Sequence, residues 1–127
     1  MPRSGSKSRV SRSQTVVGQN KRARRIRALN DQLRASFGTG LVTISQGVRQ
    51  LGPSVLSRVL AGVREFNTFE TDNDPNGEHD FGALVIDDYR VFWKIDYFDT
   101  RLEAGSEDPS SAEATMRVLT IMLASEY

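Results

Sequence analysis

From Tyr89 to Tyr97 the side chains alternate, with Tyr89, Val91, Trp93, Ile95 and Tyr97 on one side and Arg90, Lys94 and Asp96 with Phe92 on the other. A period of two fits an extended chain, because only in a strand do successive side chains point to opposite faces. The preceding run, Phe81 to Ile86, is short and apolar and ends at Asp87-Asp88. Two such runs separated by two turn-forming residues predict a β-hairpin with its turn at Asp87-Asp88. One face of that hairpin must be covered, and the other is expected to stay partly wet, as in antiparallel sheets.

The rest of the chain supplies the cover. Ile26, Leu29, Leu33 and Phe37 recur at helical spacing within residues 21–37, and Gly38 and Gly40 follow where that helix should stop. Leu41 to Ile44 reads as a short strand, and Gly47 and Gly52 bracket a turn. Pro53 suits a first helical position, and Leu56, Val59, Leu60 and Val63 give an amphipathic helix to about Phe66. After an acidic loop over 99–109, the capping-box pattern Ser110-x-x-Glu113 precedes a stripe of Ala112, Met116, Leu119 and Leu123, widened by Val118 and Met122. That pattern predicts a last, central helix. The expected fold class is α+β, a small three-stranded sheet packed by two or three helices in the order α-β-α-β-β-α.

A chain of 127 residues suits one domain, placed at 21–127 behind a disordered basic arm over 1–20. There is no cysteine, which excludes disulfides, thiolate metal sites and a cysteine nucleophile, and fits a reducing compartment. No apolar run approaches the ~20 residues of a bilayer span. The basic start lacks the apolar region of a secretory signal, so the expected location is the cytoplasm. The net charge of +1 conceals an asymmetry: residues 1–35 hold ten basic groups and one acid, and the remaining 92 hold seven basic groups and fifteen acids. A basic arm is thus joined to an acidic body.

Two clusters carry chemistry. The loop with Asp72, Asp74, Glu78, His79 and Asp80 holds the sole histidine among carboxylates, and Asp96 lies on the following strand. Carboxylates with a neutral imidazole suit a divalent metal that activates water, or a partner contact. The spacing matches neither an EF-hand loop nor H-E-x-x-H, and a turn whose Asx side chains cap the backbone explains the same residues. The second cluster, Lys21, Arg22, Arg24, Arg25 and Arg27, suits phosphate backbones or other acidic partners, or else a solvated helix face. No motif calls for a cofactor beyond that divalent metal.

Several longer motifs stand out: Asn30-Asp31, Phe37, Asn73-Asp74-Pro75-x-Gly77-Glu78-His79-Asp80-Phe81-Gly82, Phe92-Trp93-Lys94-Ile95-Asp96-Tyr97 and Gly105-Ser106-x-Asp108-Pro109. With Thr115-x-Arg117 and the run from Val118 to Tyr127, they make the chain resemble the bacterial family called domain of unknown function 3768, over about residues 28–127. The resemblance implies an alphaproteobacterial type of protein often borne on plasmids and other mobile elements. It implies no established activity, so no residue role is carried over.

The leading expectation is therefore a non-enzymatic interaction module of a plasmid or mobile element, in plasmid maintenance or in countering host defence, acting on a protein partner. One alternative is a metal-dependent hydrolase or nuclease using the Asp72–Asp80 loop. The other is a nucleic-acid-binding protein acting through residues 1–27. No membrane role is expected.

Overall fold

The computed structural model describes residues 20–127. The arm expected over 1–20 lies outside them except for Asn20, which opens the first helix, α1, at residues 20–36. Phe37 follows with φ of 59° and donates its N–H to the Leu33 carbonyl, so the left-handed residue that closes α1 is Phe37, one position before the expected glycines. Strand β1 is Leu41–Ile44, as the sequence predicts.

Between Gly47 and Gly52 the expected turn is partly helical. Gln46–Arg49 forms a four-residue helix, α2, because the Ser45 hydroxyl accepts from the Val48 N–H and Val48 is fully buried. The Glu126 carboxylate holds the same turn, accepting from the Ser45 hydroxyl at 2.6 Å, the Gly47 N–H at 3.1 Å and the Leu123 N–H at 2.7 Å. Those bonds keep its carboxyl below the usual carboxylate range, the Ser45 bond foremost. Helix α3, Pro53–Glu65, starts with proline in its first turn and buries Val59 and Val63, matching its expected stripe.

The hairpin has the predicted bounds: β2 is Phe81–Ile86 and β3 is Tyr89–Phe98. Asp87 and Asp88 both have positive φ, 50° and 69°, the signature of a type I′ turn. The Arg58 guanidinium grips the Asp87 carboxylate through two bonds of 2.7 and 2.6 Å and ties α3 to the turn. Asp88 has no such compensation for its left-handed backbone. Asp88→Gly is expected to raise stability by about 1 kcal/mol, read as a higher urea midpoint at unchanged slope.

The sequence reading fails after residue 110. Met116–Leu123 is not a helix but a strand, β4, and the sheet has four strands in the order β1-β4-β3-β2. β4 pairs antiparallel with β3 along its full length and parallel with β1, so the sheet is mixed and has four strands where three were expected. The Ser110–Glu113 segment is irregular: Ser111 Oγ accepts from the Ala114 N–H, and Asp108 Oδ1 accepts from the Ser110 N–H and hydroxyl. These are the bonds a helix cap makes, here closing turns that lead into a strand. A 3₁₀ turn, Ala124–Glu126, follows β4.

The core lies on one face of the sheet, where Val91, Trp93, Ile95, Leu119 and Ile121 meet Leu33, Val48, Val59 and Val63. Tyr89, expected on this packed face, is 43% exposed because it borders the turn. The other face carries Phe81 and Phe92, with Tyr127 folded edge-on against both rings. Among the described residues no helix is long and apolar enough to cross a membrane.

Candidate functional site

α1 buries an unusual line of residues. Ile26, Asn30 and Arg34 are four apart, on one helical face, and they are 1%, 0% and 5% exposed. Two polar groups on a core stripe require partners. Arg34 donates to the carbonyls of Val63 (3.3 Å) and Phe66 (2.7 Å) and to Asp31 Oδ1 (2.7 Å). Its guanidinium lies 5.2 Å from the Phe69 ring centre and 5.1 Å from that of Trp93. A single side chain thereby closes the end of α3 and anchors the start of the 66–80 loop.

Asn30 is the hub of a second network. Its amide donates to the Glu78 carbonyl at 3.0 Å and to the Tyr97 hydroxyl at 2.8 Å, and its oxygen accepts from Arg117 Nε at 2.7 Å. The Tyr97 hydroxyl passes its proton-donor role on to Glu78 Oε1 at 2.8 Å. Arg117 also donates to the Pro109 carbonyl and stacks on the Tyr97 ring. Burial raises the Tyr97 phenol far above its ordinary range and lowers the Arg117 guanidinium below its own. Tyr97 therefore stays protonated and acts as a donor to Glu78.

The expected loop cluster is organised around its own backbone. Asp74 is buried, and its Oδ1 accepts from the N–H groups of Glu78 and His79, both at 3.0 Å. Positive φ at Gly77 (68°) and His79 (56°) turns the chain so that both amides reach one oxygen. The His79 ring stacks on Phe69 with centres 3.6 Å apart and planes within 4°. Its Nδ1 lies 2.8 Å from Asp31 Oδ1, and its Nε2 lies 3.7 Å from Asp74 Oδ2. A carboxylate only accepts, so Nδ1 carries the proton shared with Asp31. The imidazole is held between two carboxylates and serves as a clamp between loop and α1.

Asp72 is exposed and stands apart from this cluster. Asp96 points to the opposite face of the sheet and pairs with Lys94 at 3.0 Å. Among the described residues no group of three or more His, Asp or Glu side chains is arranged to hold a metal ion. Asp80 is half-buried, and desolvation, followed by the nearby Glu78 charge, raises its carboxyl above the ordinary range. A raised acid means that the folded state binds the proton more tightly, so this contribution favours folding at low pH and is lost as pH rises through the folded value. Asp80→Asn should therefore stabilise the protein at neutral pH, with the difference from wild type shrinking as pH falls through the raised folded value and gone below about pH 4. Thermal melts across that range provide the check.

The basic candidates line α1 beside the loop. Lys21, Arg24 and Arg25 are exposed, Arg22 lies 3.6 Å from Asp108, and Arg27 donates to the Gly77 carbonyl at 3.3 Å. Between helix and loop runs an open cleft of about 470 Å³ bordered by Arg27, Phe69, Glu70, Pro75, Asn76 and His79. It adjoins a second hollow of about 400 Å³ between Arg22, Ile26, Pro75 and Glu78.

Asn30, Arg34, Phe69, Tyr97 and Arg117 were not among the sequence candidates. The available signal was polar residues at four-residue spacing on the stripe of α1, where a helix normally places apolar ones. No curated protein and no solved structure matches the chain. A family model begins at Ile44, so the α1 residues of the two networks precede the matched segment, whereas Asp74, Glu78, His79, Tyr97 and Arg117 fall within it. That match covers residues 44–126, well over half of the chain, and on it the protein belongs to the family described as protein of unknown function (DUF3768).

Proposed function

We propose that the chain is a non-enzymatic interaction module whose docking surface is the cleft between the first turns of α1 and the 69–79 loop. The observation that carries this reading is how the polar groups are spent. Asp74, Glu78, His79 and Asp31 hold the loop in place, while Lys21, Arg24 and Arg25 face solvent along the neighbouring helix. A rigid loop beside a basic wall suits an acidic protein surface, since charge complementarity speeds encounter and sets register. An accessory role on a plasmid or mobile element, in maintenance or in countering host defence within a bacterial cytoplasm, accords with this reading.

The test is affinity capture from native lysate, with and without nuclease. A defined protein retained after nuclease, and lost with Arg24→Glu/Arg25→Glu, supports the module. Capture that charge reversal leaves unchanged would sink it.

A nucleic-acid reading has its own support in the five basic residues between Lys21 and Arg27. It requires affinity that falls steeply with salt and that disappears when residues 1–27 are removed. The metal-dependent hydrolase reading draws no support from the cluster, because Asp74 is occupied by two amides and Asp96 by Lys94. Sub-millimolar divalent ions are expected to leave the melting temperature unchanged. A rise that His79→Ala abolishes would reinstate that reading.

A further inference from the structure

The cleft and the hollow beside it are joined by a smaller space of about 180 Å³, bordered by Asn20, Ala23, Arg24, Arg27, Asn76 and Gly77. The four α1 residues recur at intervals of three and four, so they share one helical face, and that face looks onto the 76–77 turn. Two small residues, Ala23 and Gly77, leave the room. A Cβ on Gly77 would have only Arg27 Nη1 within reach, at 3.7 Å, so the space above the turn is open. The rim consists of two guanidinium groups and two primary amides, and no carboxylate borders it.

These donors are held in place before any ligand arrives. Arg27 Nη1 donates to the Gly77 carbonyl at 3.3 Å, which fixes one arm of the guanidinium and leaves Nε and Nη2 as donors. The turn itself is set by the bond from the Gly77 N–H to the Asp74 carbonyl, 3.1 Å, and by the φ of 68° at Gly77. Asp74 is locked in turn by the amides of Glu78 and His79. Donors fixed in advance lower the ordering cost of binding.

Resting on the docking reading above, we infer that this hollow is the anchoring subsite for a single carboxylate, the side chain of an aspartate or glutamate on the partner protein. The guanidinium fork matches a carboxylate. Size narrows the choice: pockets for whole small molecules measure roughly 300–1,000 Å³, so this one admits a functional group and not a nucleotide. Charge narrows it further, because the space on either side is bordered by an acid. Glu70 borders the cleft, which shares Arg27, Asn76 and Gly77 with the hollow, and Glu78 borders the other neighbour, which shares Asn20, Ala23 and Asn76. A nucleic-acid strand threaded through the hollow would carry its next phosphates toward those carboxylates, since its charges follow one another every ~3.4 Å. An acidic side chain flanked by neutral residues meets no such repulsion. The exposed Pro75 and the stacked Phe69 and His79 rings at the cleft suit an apolar residue beside it.

Heteronuclear NMR of the full chain, titrated with N-acetylglutamate methylamide, tests this. The Arg27 Nε–H and the side-chain amides of Asn20 and Asn76 should shift together and saturate. Arg24→Gln and Arg27→Gln should each weaken binding about tenfold, the loss of one charge-assisted contact, whereas Arg25→Gln, outside the hollow, should change it by less than about twofold. If Arg27→Gln loosens the 76–77 turn, Arg24→Gln decides the outcome, because its side chain is exposed. Shifts that never saturate, an Arg24→Gln variant that binds like wild type, or inorganic phosphate or a DNA duplex occupying the hollow in preference to the carboxylate would overturn the proposal. Capture from lysate separates the subsite from the docking reading. A partner retained by Arg24→Gln/Arg27→Gln yet lost with Arg24→Glu/Arg25→Glu overturns the subsite alone. A saturable hollow in a chain that captures no protein leaves the subsite standing and counts against the module alone.

Discussion

Gly82→Ala is expected to lose about 3 kcal/mol of stability, the upper end of the usual range for overpacking. Gly82 faces Trp93 across the β2–β3 ladder, and a Cβ there would lie 2.3 Å from the indole Nε1 and 2.6 Å from Cε2. No real contact is that short, so something must move. Trp93 is fully buried, with Phe66 and Phe69 edge-on at 5.6 and 6.1 Å and the Arg34 guanidinium over its ring. The indole has no empty side to retreat into. Against a total stability of roughly 5–15 kcal/mol for a domain of this size, the variant should melt far below wild type. Trp93 is the sole tryptophan, so its fluorescence reports the transition directly. The double variant Gly82→Ala/Trp93→Phe should be less damaged than the sum of the singles, because the smaller ring makes room for the methyl. Additive losses would show that the close approach is not the cause.

Asn30→Ala is expected to cost about 3 kcal/mol through a different mechanism. The amide makes three hydrogen bonds at about 1 kcal/mol each, and its loss leaves the buried Arg117 cation without its side-chain acceptor. Tyr97→Phe removes two bonds from the same network, the one accepted from Asn30 and the one donated to Glu78, and should cost about 2 kcal/mol. Urea unfolding separates the two. Hydrogen exchange at Glu78 and His79 should also speed up in Asn30→Ala, since the loop is fastened to α1 through the Glu78 carbonyl. Exchange unchanged in the loop would place the damage elsewhere.

Local physics made the hairpin, β1, α1 and α3 legible in the sequence. The bounds of β3 follow from a period of two, those of β2 from a short apolar run ending at a two-residue turn, and those of α3 from a stripe opened by proline. Each is a short-range pattern that needs no knowledge of what packs against it. β4 is the opposite case. Met116 to Leu123 is almost continuously apolar because the strand lies inside the sheet between β1 and β3, and such a run fits a buried helix as well as a buried strand. The β-branched Val118, Thr120 and Ile121 favoured the strand, but pairing with two neighbours decided it.

The candidate site divides along the same line. Composition marked the Asp72–Asp80 loop and the basic turns of α1, and both occupy one region of the surface. Composition could not say that Asp74 faces inward, that Asp96 is on the other side of the sheet, or that Asn30, Tyr97 and Arg117, separated by as many as 87 positions, form one network. By itself the sequence determined the periodic elements, the turn chemistry and the charge asymmetry, all set by residues a few positions apart. The tertiary structure decided which strand is central and which carboxylates are occupied, because both depend on groups brought together only when α1 and the loop close over the sheet.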